Sequence, residues 1–85
     1  MEFYISKHAT DQMKLRGIEE NIVSGILHSP QQVIVNDDKT IYQSVFTENE
    51  KQFLIRIFVN HLKIPNTVIT VYKTSKIGKY YEGNL

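Results

Sequence analysis

The apolar positions change their spacing near Pro30. Before it they recur at helical intervals, and after it they alternate as in half-buried strands. Ser6 is placed to cap a helix running to about Arg16, and Gly17 is placed to stop it. Its inward face, Ala9, Met13 and Leu15, is only partly apolar, because His8, Gln12 and Arg16 form a polar row along its border. A second helix is predicted from Glu19 to about Leu27. Its first-turn glutamates suit the positive helix end, and Ile18, Ile22, Val23, Ile26 and Leu27 make its apolar stripe. Ser29-Pro30 ends it, since the residue before proline avoids helical angles.

Four strands are predicted beyond that point: Gln32–Asn36, Thr40–Phe46, Lys51–Asn60 and Thr67–Lys73. The connections between them are too short for parallel crossovers, so the neighbours are expected to be antiparallel. In the third strand Phe53, Ile55, Ile57 and Val59 share an all-apolar face, with Leu54, Arg56, Phe58 and Asn60 opposite. In the fourth, strict alternation sets Ile69 and Val71 against Val68, Thr70 and Tyr72. The expected fold is α+β: two N-terminal helices packed on one face of a four-stranded antiparallel sheet, one domain over residues 1–85. The other face is expected to display Arg56, Thr70 and Tyr72. The tail Lys73–Tyr81 lies beyond it, with Ile77, Tyr80 and Tyr81 able to close over the sheet edge or to stay partly disordered.

Composition agrees with a sheet-rich domain. Val and Ile together supply 18 of 85 residues. The absence of cysteine excludes disulfide scaffolds and thiolate zinc sites. Apolar runs are only a few residues long and the start, MEFYISK, has no basic lead. Neither a membrane span nor a signal peptide is expected, and a cytoplasmic protein is. The net charge of +1 hides an asymmetry. Residues 1–51 carry five Lys/Arg against eight Asp/Glu, whereas residues 52–85 carry five Lys/Arg against Glu82 alone. A basic end of this kind suits a polyanion, and equally a solvated lysine-rich tail.

Two separated stretches carry a resemblance. Ser6-Lys7-His8-Ala9, Met13, Arg16-Gly17-Ile18 and Pro30, followed by Val68-Ile69-Thr70-Val71-Tyr72-Lys73-Thr74-Ser75-Lys76-Ile77 and Lys79-Tyr80, resemble the bacterial domain-of-unknown-function family numbered 4258. That family is similar to the RelE/ParE/BrnT group of small toxins. The resemblance implies a RelE-like domain, a toxin restrained by a cognate antitoxin protein, and a metal-independent endoribonuclease with no cofactor. Many members of the wider group cut RNA, and others have lost the chemistry, which leaves a catalytically inert protein- or RNA-binding module as the alternative.

Metal-free RNA cleavage needs a base for the 2′-hydroxyl, an acid for the leaving oxygen, and cations around the phosphorus. The candidate catalytic residues are His8 as base, Arg56 as phosphate clamp, and Tyr72 as proton donor or stacking ring. Arg16, Thr70, Lys73, Ser75 and Lys76 are candidate substrate contacts. Each also has an ordinary use. His8 can serve as a helix-start residue, Arg56 can pair with Glu48 or Glu50, Tyr72 can pack on a strand, and Arg16 can bond the last carbonyls of its helix. Three scattered histidines without paired spacing make a weak metal site, so no metal is expected.

Overall fold

The Ser6 hydroxyl accepts a hydrogen bond from the Ala9 N–H at 3.1 Å and starts helix α1, Lys7–Leu15, in a computed structural model that describes residues 2–83. The helix ends in a Schellman turn. Gly17 takes φ +66°, the Ile18 N–H bonds the Met13 carbonyl at 2.8 Å, and the Gly17 N–H bonds that of Lys14 at 3.3 Å. Only glycine adopts that φ without penalty, so the stop is local chemistry. The turn fixes Arg16 as the C-cap, one residue past the end of the helix. Helix α2, Glu20–His28, follows after the four residues 16–19, and His28 Nδ1–H donates back to the Ser24 carbonyl at 2.7 Å.

The sheet has five strands: β1 (Phe3–Ile5), β2 (Gln32–Val35), β3 (Lys39–Glu48), β4 (Lys51–Asn60) and β5 (Asn66–Thr74). Their spatial order is β1-β5-β4-β3-β2. The three connections after α2 are antiparallel, but β1 pairs parallel to β5 from Phe3↔Asn66 to Ile5↔Val68. The expected four-stranded, all-antiparallel RelE-like sheet is therefore wrong. The sheet is five-stranded and mixed, and a third helix, α3 (Ile77–Tyr80), completes the fold. Three residues at the start of the chain carry too little pattern to reveal a strand. Their partner is sixty-odd residues away, and α1 with the β2–β4 hairpins makes the crossover that a parallel pair requires.

Alternation in β5 is also interrupted. Phe58 faces Thr70 but Val59 faces Val68, so Ile69 is an extra residue on that strand. The bulge puts Val68 and Val71, three positions apart, on the same side of the sheet. Strict alternation had placed them on opposite sides. Together with Ile55, Ile57 and Val59 they form the core under Ala9, Met13, Ile18, Val23, Ile26 and Leu27. The sheet coils strongly enough for Phe3 of β1 to meet Tyr42 of β3 edge-on at 5.7 Å.

The far face is roofed as well. Leu54 and Gln43 on that side are fully buried, and the chain after Thr74 turns across them. The tail closes over the middle of the sheet, not its edge. Among the described residues, no helix is long and apolar enough to cross a membrane.

Candidate functional site

Arg56 and Tyr72 are cross-strand partners on β4 and β5, and their side chains share the far face. Gln43 is the partner of Arg56 on the other side, from β3. Its Oε1 accepts from Arg56 Nε at 2.9 Å. The guanidinium carbon lies 5.2 Å from the Phe58 ring centroid and 4.4 Å from that of Tyr80, in α3. One edge of Arg56 is thus held by an amide and its plane lies beside two rings, which fixes its direction before any ligand arrives. Burial pushes the guanidinium down from its ordinary range, and the Tyr80 and Tyr72 phenols oppose that shift.

Tyr72 stands between two arginines. Tyr80 meets it edge-on, with centroids 6.1 Å apart, and connects it to Arg56. Arg16 approaches from the end of α1, its guanidinium carbon 5.2 Å from the Tyr72 centroid. This reach is possible because β1 covers β5 only at Asn66–Val68, leaving the edge beyond Ile69 open for a side chain to pass round. Gln12 steadies Arg16 by accepting from its Nε at 3.1 Å. The Tyr72 phenol is more acidic than an ordinary tyrosine, first through the Thr74 and Tyr80 hydroxyls and then through the charges of Arg16 and Lys76, with burial acting the other way.

The remaining expected residues are dispersed. His8 is exposed in the first turn of α1, eight residues before Arg16 and so about 12 Å along the helix axis. It shares the row of Gln12 and Arg16, but no contact joins it to Arg56 or Tyr72. Lys73 points to the helix-covered face, where its ammonium meets Glu48 at 2.8 Å and lies 4.5 Å from the Phe53 ring centroid. Glu48 is thus engaged by Lys73, and Arg56 uses Gln43 in place of the glutamate partner considered from sequence. Thr70 is half-buried opposite Phe58. Ser75 and Lys76 are exposed where the chain leaves β5, and the Lys76 N–H bonds the Thr74 hydroxyl at 3.1 Å. Among the described residues, no three His, Asp or Glu side chains gather as a metal cluster.

Sequence reasoning missed Gln32, Gln43 and Thr74, and set Tyr80 at the sheet edge and not over Arg56. Gln43 carried a usable signal: a glutamine in the middle of an inner strand needs a partner once buried, and Arg56 is the polar residue at the middle of the next strand. The place of Tyr80 carried none, because it depends on how the tail folds back. No family model, curated protein or solved structure matches the chain.

Proposed function

We propose that the protein is an RNA-binding module of the toxin type, acting in the cytoplasm and restrained by a cognate antitoxin. The observation that carries the RNA reading is the placing of Arg16 and Arg56 around the Tyr72–Tyr80 ring pair, with Lys76 beside it. Two guanidiniums suit successive phosphates, and the Tyr72 ring suits an unpaired base. Electrophoretic or anisotropy titration with single-stranded RNA tests it. Wild type binds, and Arg16→Ala and Arg56→Ala each weaken binding and flatten its salt dependence. Binding that ignores both substitutions contradicts the proposal.

Cleavage is the second reading, and the acidified Tyr72 phenol favours it. Tyr72 would protonate the leaving 5′-oxygen, water would take the 2′-hydroxyl proton as that oxygen attacks the phosphorus, and the arginines would neutralise the phosphorane, without a metal. The position of His8 weighs against it, since an exposed imidazole about 12 Å up the helix from Arg16 has not been brought to the same phosphate. Incubation with total RNA in chelator separates the two readings. Fragments made by wild type and lost with Tyr72→Phe support an endoribonuclease, whereas intact bound RNA supports the inert module.

A further inference from the structure

The chain from Ile77 to Glu82 covers Arg56 through contacts of an unusual kind. Tyr80 sets its ring 4.4 Å from the guanidinium. Its carbonyl accepts from Gln43 Nε2 at 3.2 Å. Two residues on, Gln32 makes a reciprocal pair with the Glu82 backbone: Nε2 donates to the carbonyl at 2.7 Å, and Oε1 accepts from the N–H at 3.0 Å. Gln43 and Gln32 are themselves joined, Nε2 to Oε1, at 2.6 Å. The cover thus presents an aromatic plane to an arginine, and a set of carbonyl and N–H groups to two glutamine amides.

A nucleobase presents the same two things. Its π face stacks on guanidinium or aromatic planes, and its edge pairs donors and acceptors with side-chain amides. We propose that Arg56, Phe58, Gln43 and Gln32 form a binding site for one unpaired nucleobase of single-stranded RNA, and that Tyr80 and the Glu82 backbone occupy it until RNA displaces them. This inference rests on the RNA-binding reading above and names how the same site takes its ligand. The cover is suited to displacement. Its helix is a single turn of four residues with no buried side chain, and its polar contacts are hydrogen bonds that RNA can replace. Arg56 then gains a base on its face, keeps its Gln43 contact through Nε and offers its Nη edge to a phosphate, while Arg16 and Lys76 remain at the rim for the neighbouring phosphates.

The two arginines of the chain allow a test in two arms. The first measures cover opening without RNA. Phenylglyoxal modification of Arg56 is followed by mass spectrometry, with exposed Arg16 as the reference. A chain ending at Lys76 and full-length Tyr80→Ala are compared with wild type. Both variants are expected to modify Arg56 several-fold faster, because a group reached only when the cover is open reacts in proportion to the open fraction. The second arm titrates a single-stranded hexaribonucleotide. Both variants bind it more tightly than wild type, by a similar factor, and Gln43→Leu placed in the Tyr80→Ala chain removes the gain.

Unchanged Arg56 reactivity in both variants overturns the cover. Faster reactivity with weaker RNA binding also overturns the inference, because Tyr80 would then be a contact for RNA and not its substitute; the RNA reading survives that result. An accessible Arg56 with no RNA binding by any chain overturns both. Tyr80→Ala keeps the test decisive where the shortened chain does not fold.

Discussion

Tyr72 is the side chain on which charge acts most visibly. Its phenol ionises below the ordinary tyrosine range of about 10 because hydroxyls and cations face it. A lowered pKa means that the deprotonated form is favoured, so Arg16→Ala and Lys76→Ala must each move the titration of Tyr72 upward. NMR titration of the tyrosine ring carbons reads this directly, with the other tyrosines as internal standards, and no movement in either variant contradicts the placing of those cations. Gln43 is the second residue whose removal is informative. Gln43→Leu keeps the volume but leaves Arg56 Nε without its acceptor, and an unsatisfied, partly buried donor costs about 1–3 kcal/mol in denaturant unfolding. Arg56 and Tyr72 were visible as candidates because β4 and β5 alternate in the central part of the sheet. The grip on Arg56 was not, because it comes from residues 13 positions back and 24 positions on, and nothing local records such distances.

At the scale of elements, the boundaries that depend on local chemistry were legible and those that depend on distant pairing were not. The Ser6 cap and the Gly17 stop follow from side-chain oxygen and glycine φ, both properties of the residues themselves. Ser6→Ala is expected to cost about 1 kcal/mol in denaturant unfolding, with Ser6→Asp nearly neutral. β1 escaped notice because a three-residue strand has no period to detect, and the bulge at Ile69 escaped because alternation gives no warning of an inserted residue. The β3–β4 turn offers a sharper check. Asn49 and Glu50 both adopt positive φ, +50° and +66°, in a two-residue hairpin between Glu48 and Lys51. Glutamate is poorly suited to that region, so Glu50→Gly is expected to stabilise the protein by roughly 1 kcal/mol. A loss of stability on that change would place the turn in another conformation.

Across the whole molecule, one sheet carries two unlike faces. The helix-covered face holds the apolar core, and the loss of Ile57, fully buried beneath it, by Ile57→Ala is expected to cost about 2–5 kcal/mol. The other face holds a polar and aromatic layer under a one-turn cover, and it gathers cations from three separate elements: Arg16 at the end of α1, Arg56 in β4 and Lys76 after β5. The charge asymmetry along the sequence pointed to the basic half, but one of the two arginines comes from the acidic half and arrives only by folding. RNA binding at this face is tested most directly by the salt dependence of single-stranded RNA binding by wild type, Arg16→Ala and Arg56→Ala. Log affinity is expected to fall linearly with log salt in wild type, and each substitution to weaken binding and lower the slope by about one. Equal slopes and affinities in all three proteins, or no binding by any, would contradict it.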